Sequence, residues 1–259
     1  MHFNELKERF LKTIFPEDII CLICGTELKV QNRFRLCSEC LDSLPYITDD
    51  IGVCLRCGKP IYDEAHYCLE CQNVKRYFLR VNSPFIYKGI AAKLTDDLKF
   101  YNKRYIGGLF GEFVATEYLR RGYNADILLP VPMFKKNKSD RGFNQSELIA
   151  GRAAELLGIE MLTDVLVKTR ETKHQMSLGG FERHKNLIDA FAVTLPDKVK
   201  GKTVLLIDDV ITTGATIDEC AKVLLKAKAV AVLGLTACST EYKLQTEKGF
   251  KNQYGIIKE

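Results

Sequence analysis

Apolar positions along the chain recur in two different rhythms. Val204 to Ile207 is a short continuous apolar run, the pattern of a strand buried on both faces of a parallel sheet. Asp126 to Leu129 and Ala229 to Leu235 read as strands of the same sheet. Between them the spacing turns helical. Ile217, Ala221 and Leu224 form one stripe of a helix over 217–226, and Ala91 to Phe100, Gly107 to Arg121 and Gln145 to Leu157 read as further helices, with Asn102-Lys103 as a turn. Asn4 to Phe15 is an amphipathic segment with Leu6, Phe10, Ile14 and Phe15 near one face, ended by Pro16. Strands alternating with helices predict an α/β domain, a parallel sheet flanked by helices in three layers. The composition is rich in cysteine and turn residues until just before Ser83-Pro84, where the boundary is expected. The predicted organisation is an N-terminal helix (1–20), a cysteine module (21–82) and the α/β domain (83–259).

The cysteines change the picture of the first third. Eight of the 10 fall in four CxxC pairs: Cys21/Cys24, Cys37/Cys40, Cys54/Cys57 and Cys68/Cys71. A two-residue gap lets both sulfurs of a tight turn face one ion, and two such turns complete the tetrahedral four-sulfur shell that zinc accepts. Gly25 and Gly58 each follow a pair where the turn calls for a positive φ. The segment is also an internal repeat. Cys21-Leu22-Ile23-Cys24-Gly25 matches Cys54-Leu55-Arg56-Cys57-Gly58, and Cys37-Ser38-Glu39-Cys40 matches Cys68-Leu69-Glu70-Cys71. The repeat predicts two consecutive zinc ribbons, with Cys21, Cys24, Cys37 and Cys40 on one ion and Cys54, Cys57, Cys68 and Cys71 on the other. A redox dithiol and an iron–sulfur cluster are the rival readings. Both shells are closed, so zinc here folds the module rather than doing chemistry. Cys220 and Cys238 sit in apolar surroundings and read as core thiols.

A second signal is VLLIDDVITTGAT, residues 204–216. A buried strand closes on Asp208 and Asp209, a loop of small and hydroxyl residues follows, and then a helix begins. Strand, small-residue loop and helix wrap backbone N–H groups around a phosphate at the positive end of the helix dipole. There is no Gly-Lys-Ser/Thr, so a Walker loop is excluded, and no GxGxxG. Two carboxylates beside a phosphate cradle suit a ligand with a phosphate at one end and vicinal hydroxyls nearby, because carboxylates accept strongly from hydroxyls. Ribose 5-phosphate fits.

This stretch resembles the signature of the type I phosphoribosyltransferases, which bind phosphoribosyl pyrophosphate (PRPP). The resemblance implies that Thr212, Thr213, Gly214, Ala215 and Thr216 take the 5-phosphate and that Asp208 and Asp209 take the sugar hydroxyls, with Mg²⁺ accompanying PRPP. The cysteine ribbons, LPVP (Leu129–Pro132), RGFNQSE (Arg141–Glu147) and the spaced Arg170, Gln175, Arg183, Asn186 and Ala190-Phe191 together resemble the ComF family, associated with competence and DNA uptake in bacteria. By the same resemblance, Met133 to Arg141 form a pyrophosphate loop with Lys135, Lys136 and Arg141. Lys168 to Arg183 form a flexible closing loop with Arg170 and Lys173. The approach to RGFNQ is Lys135-Lys136-Asn137-Lys138 where many relatives carry arginines, so charge is kept and bidentate forks are lost.

Charge adds little to this. The chain is formally +5, with residues 1–80 at −1 and residues 81–259 at +6, so the basic surface belongs to the α/β half. A polyanionic small ligand accounts for it, and single-stranded DNA over Lys135, Lys136, Lys138 and Arg141 is a further candidate partner, along with proteins of the DNA-uptake machinery. No apolar run reaches the ~20 residues of a membrane span. Residues 1–15 carry five charges where a signal peptide needs an apolar stretch, so the expected location is cytoplasmic. Two functions remain open: a Mg²⁺-dependent transferase displacing pyrophosphate from PRPP toward an unidentified acceptor, or a DNA- or partner-binding factor that uses PRPP as a regulatory ligand. No general base is singled out. With the two modules separate, Cys54→Ser is expected to unfold the second ribbon and leave PRPP binding measurable.

Elemental analysis of the purified protein is expected to give two zinc ions per chain. One zinc, or iron with visible absorbance, overturns the reading of the repeat.

Overall fold

The computed structural model describes residues 20–28, 33–61, 65–172 and 186–242, so the predicted helix over 4–15 lies outside the described residues. The chain divides into two compact units, residues 1–44 and 45–259.

The first unit holds one ribbon. Gly25, at φ +74°, turns the chain so that its N–H reaches Cys21 O at 2.9 Å, while Cys21 N–H donates to Thr26 O. Ile20 and Glu27 form an antiparallel bridge, and α1 (Ser38–Asp42) carries Cys40.

The second unit opens on the same construction. Gly58 N–H reaches Cys54 O at 2.9 Å, Cys54 N–H donates to Lys59 O, Val53 bridges Pro60, and α2 (Leu69–Asn73) carries Cys71. The chain then enters the sheet. β1 (Arg80–Asn82) and β2 (Phe85–Ile86) come first, followed by α3 (Gly89–Phe100), α4 (Tyr105–Arg120) and β3 (Ile127–Pro130). Next are α5 (Lys135–Arg141), α6 (Gln145–Leu157), β4 (Leu166–Lys168) and β5 (Phe191–Val193), and last β6 (Thr203–Ile211), α7 (Ala215–Lys226) and β7 (Ala231–Ser239). The main sheet runs β1-β7-β6-β3, with β2 also on β7, and every pairing is parallel. β4 and β5 form a separate antiparallel pair.

Side chains alternate across the main sheet as strand geometry requires. Ile127, Leu129, Val204 and Leu206 join one core with Ile217, Ala221 and Leu224 of α7, and with Cys54, Cys57 and Cys68 of the second ribbon. α4 and α6 pack closely because α4 places glycines at their contact. A Cβ on Gly107 would lie 2.5 Å from Leu148 Cβ, and one on Gly111 would lie 2.8 Å from Ile149 O.

Three expectations differ from this arrangement. Ser83-Pro84 is no boundary in the structure. It joins two strands that both pair with β7, and Ser83 Oγ lies 2.6 Å from Thr236 Oγ1 in the interior. The second ribbon therefore shares a compact unit and a core with the sheet, and a composition change marks where cysteines stop rather than where packing stops. The strand over 204–207 continues to Ile211, because β7 offers pairing partners as far as Ser239. Residues 135–141 are a helix, not a loop, closed by Gly142 at φ +81°.

Gly58 ties the ribbon to the sheet. A Cβ there would sit 2.4 Å from Val81 O, and Val81 N–H donates to Arg56 O at 2.9 Å. Gly25 occupies the equivalent turn with nothing near its missing side chain. Gly58→Ala is expected to lower the unfolding free energy in urea by more than the ~1–2 kcal/mol of left-handed backbone strain alone, and by more than Gly25→Ala. Equal losses at both positions overturn the tight ribbon–strand contact.

Candidate functional site

Each cysteine set forms a closed cluster, with the four sulfurs within 4.8 Å of one another. Cys24 and Cys37 sulfurs are 3.7 Å apart, and Cys57 and Cys68 sulfurs 3.6 Å. Four sulfurs about 2.3 Å from a tetrahedral zinc are separated by about 3.8 Å, so the spacing fits that ion. Cys37 Sγ accepts from Cys40 N–H at 3.4 Å, and Lys59 Nζ meets Glu70 Oε2 at 2.7 Å across the second set. In the second set, hydrogen bonding among the sulfurs pulls the Cys54 thiol down and pushes Cys57 and Cys71 up. Sulfurs this crowded share protons, and a divalent cation replaces the protons while satisfying all four. The two clusters fit structural zinc.

The other site is an open cleft of about 310 Å³ at the carboxyl ends of β3 and β6. Asp208 and Asp209 sit within β6, Asp208 in register with Thr236 of β7. Asp208 Oδ1 accepts from Ser146 Oγ at 2.8 Å and from Asp209 N–H at 2.9 Å. Burial, with the Asp209 carboxylate beside it, pushes Asp208 up to about 7. Lys99 Nζ lies 3.0 Å from Asp209 Oδ2, an ion pair outside hydrogen-bond alignment, so this buried oxygen keeps an unused acceptor direction. Past Ile211 only Thr212, Thr213 and Gly214 separate strand from helix. Gly214, at φ +76°, is the N-cap of α7, and with Ala215 and Thr216 it lines the cleft. First-turn amides of a helix lack intrahelical acceptors, which makes this end receptive to an anion.

RGFNQSE builds the opposite wall. Gly142 ends α5, and Phe143 is buried beneath the Arg104 guanidinium at 4.8 Å. Asn144 caps α6 by accepting from Ser146 N–H and donates to Val131 O at 3.0 Å. Arg141 lines the cleft, bonds Gln145 Oε1 at 2.6 Å and lies over the Phe100 ring at 5.8 Å. Burial lowers the pKa of both Arg141 and Lys168.

The cleft gathers Asp208, Asp209, Thr212, Gly214, Ala215, Thr216 and Arg141 of the expected residues. Thr213 is not on its wall, and its carbonyl accepts instead from Arg76. Lys135 is exposed on α5, and Lys136 faces Glu171 at 3.9 Å. Arg170 Nη2 is turned to the carbonyls of Asn186 and Ile188, at 3.0 and 2.7 Å. These three are not brought to the cleft, because the helix and the backbone carbonyls hold them elsewhere. Lys173 lies outside the described residues. Lys99, Phe100 and Ser146 line the cleft without having been named as ligands, and Lys168 joins them from the first position of the expected closing loop. Ser146 was within reach of inference, since it stands inside a motif already singled out. Lys99 was not, being separated from the acids by over a hundred residues.

The sequence matches the Double zinc ribbon domain over residues 10–72 and the Phosphoribosyl transferase domain over residues 144–250. "DNA utilization protein YhgH" of Salmonella typhimurium is 28% identical over 226 residues, covering 85% of this chain and 97% of that protein. "Competence protein F" of Haemophilus influenzae is 26% identical over 226 residues (83% and 95%), and "Competence protein ComFC" of Bacillus subtilis 27% identical over 239 (84% and 94%). Among the described residues, no helix is long and apolar enough to cross a membrane.

Asp208 gives the site a pH signature. Its folded pKa stands above the unfolded carboxyl value near 3.8, so the folded state binds the extra proton and loses stability as pH rises from about 4 to about 7. Asp208→Asn keeps the acceptor for Ser146 and is expected to flatten that slope and raise the unfolding midpoint at pH 8. An unchanged pH profile overturns the assignment of the raised pKa to Asp208.

Proposed function

Because the chain is a homologue of the ComF competence proteins over most of its length and joins a double zinc ribbon to a phosphoribosyltransferase domain, we propose that its cleft binds PRPP in the service of DNA uptake. One observation carries the reading: two adjacent carboxylates, the second of them five residues ahead of the Gly214 N-cap of a helix, share a single cleft with that helix N-terminus. Thr212, Gly214, Ala215 and Thr216 hold the 5-phosphate, and Asp208 and Asp209 accept from the ribose hydroxyls. Thr213 contributes by setting the loop's shape. Arg141, Lys99 and Lys168 supply positive charge toward the pyrophosphate, and Lys135 and Lys136 on the exposed side of α5 attract the anion at longer range.

Mg²⁺, when bound with PRPP, neutralises the pyrophosphate, and the unused acceptor direction of Asp209 Oδ2 suits a cation or a hydroxyl donor near the sugar. The chain's own share is positioning: the strand fixes the acids, the helix end fixes the phosphate, and the ligand's sugar carbon is held between them. Displacement of pyrophosphate by an acceptor is the transfer such a site performs. The basic edge at Lys135, Lys136, Lys138 and Arg141 also suits the phosphates of single-stranded DNA.

Calorimetric titration with PRPP, ribose 5-phosphate and inorganic phosphate, each with Mg²⁺, tests this. Thr216→Ala removes one hydroxyl from a charged phosphate and is expected to weaken all three by about 1.5–3 kcal/mol, or ten- to a hundredfold. Asp208→Asn/Asp209→Asn is expected to weaken the two ribose ligands and spare phosphate. Binding of none of the three by the wild type overturns the proposal. Pyrophosphate release with an offered nucleobase or DNA establishes transfer, and binding without release makes PRPP a regulatory ligand.

A further inference from the structure

The phosphate loop is held from outside the cleft. Arg76 is 8% exposed and is not on the cleft wall. Its Nη2 donates to Thr213 O at 2.8 Å, and its Nη1 lies 3.7 Å from Asp218 Oδ2 in the first turn of α7. Tyr77 N–H donates to Asp218 Oδ1 at 2.6 Å, so two consecutive residues grip one carboxylate. The Arg76 guanidinium stands 5.8 Å from the centre of the Phe78 ring, and that ring lies 3.6 Å from where a Cβ on Gly214 would be.

The bond from Arg76 fixes more than a carbonyl. In a trans peptide the C=O and the N–H that follows it point in opposite directions. Thr213 O is turned to Arg76, away from the cleft, so Gly214 N–H is turned the other way, and Gly214 lines the cleft. Among the described residues, no backbone carbonyl accepts from that N–H. The covalent chain does not enforce this orientation. Rotating the 213–214 peptide by half a turn carries φ of Gly214 from +76° to the negative side, and glycine accepts both. The rotated loop presents a carbonyl oxygen to an anion where the native loop presents a donor. A charge-assisted bond from a guanidinium settles the choice, and Asp218 compensates the buried charge that makes it.

We propose that Arg76 is a positioning residue of the phosphate site: by holding Thr213 O it selects the peptide orientation in which Gly214 N–H donates to the 5-phosphate of the ligand. The ligand half rests on the reading of the loop as a phosphate site; the orientation half does not. Thr213, off the cleft wall, thereby has a part to play, since its carbonyl is the handle by which the loop is turned.

Two measurements on the full-length protein test it. Thr213-Gly214 is the only Thr-Gly pair in the chain, so carbonyl-labelled threonine combined with nitrogen-labelled glycine singles out that one amide in an NMR spectrum. Without ligand, the HN–Hα couplings of Gly214, which depend on φ, are expected to fit the positive value in the wild type and to move toward a mixture in Arg76→Met. Couplings unchanged in Arg76→Met overturn the proposal. Calorimetric titration with inorganic phosphate and with ribose 5-phosphate is expected to show both weakened about tenfold in Arg76→Met, as for the loss of one hydrogen bond to a charged group. Arg76→Lys, which keeps one charged donor, recovers part of the loss. Gly214→Ala favours negative φ at a position with room for the methyl group, and is expected to weaken both ligands similarly. Because the two changes act on one peptide, Arg76→Met/Gly214→Ala is expected to lose no more than the worse single variant. A charge felt through space, or a merely structural role, weakens binding by the same factor in either background, and that result overturns the proposal. If Arg76→Met does not fold, Arg76→Lys carries the same comparisons. If the wild type binds neither ligand, the PRPP reading falls and the couplings alone still decide the orientation.

Discussion

The pairing of β6 with β7 is the constraint on which the rest depends. It runs in register from Thr203 opposite Ala231 to Ile211 opposite Ser239, and Thr240 N–H extends it by donating to Ile211 O at 3.0 Å. β1 and β2 hang from the other edge of β7. The acid pair is thereby held by ladder hydrogen bonds instead of sitting at a fraying strand end. With both ends of the Thr212–Gly214 loop fixed, by a strand on one side and a helix on the other, few conformations remain to it, and little ordering remains to be done when a ligand arrives.

That rigidity comes with an electrostatic conflict. Two adjacent carboxylates in a partly dry cleft repel, and Asp208 responds by holding its proton up to about 7. Lys99 answers Asp209, while Lys168 and Arg141 are half-buried cations whose charged forms burial disfavours. Both signs are thus incompletely compensated within the protein. A ligand that brings anionic phosphates and hydroxyl donors together satisfies both sets, which a bare phosphate or a neutral sugar does not.

Much of this was legible from local pattern. Val204–Ile207 and the helix over 145–157 follow from hydrophobic period alone, and the cysteine repeat predicted two closed sulfur clusters of the right spacing. What escaped was non-local. β1 and β2 are three and two residues long, too short for a period to show, and exist because β7 presents a free edge. Ser83-Pro84 resembled a linker because local composition cannot reveal that Thr236 waits opposite. The resemblance implied Lys135 and Lys136 as ligands of a pyrophosphate loop, but the segment is a helix with two sides, and their neighbours Asn137 and Arg141 take the inner one. Lys99 and Arg76 act across more than a hundred residues, and no window along the chain contains both ends of such a contact.

The repeat itself shows how context divides two equal sequences. Both ribbons make the same turn, with Gly25 and Gly58 donating to the first cysteine of their pairs at 2.9 Å. Around Gly25 there is open space; against Gly58 stands the carbonyl of Val81 in a sheet strand. Cys24 is exposed, whereas Cys54, Cys57 and Cys68 belong to the core that also contains Val204 and Ile217. Metal binding to a site that does not exist in the unfolded chain is folding free energy. In the first unit that energy stabilises a ribbon. In the second it stabilises the edge of the sheet, and through β1 and β7 the strand that holds the acids. Duplication produced two similar metal sites, and the packing of one of them against the sheet made its metal part of the sheet's own stability.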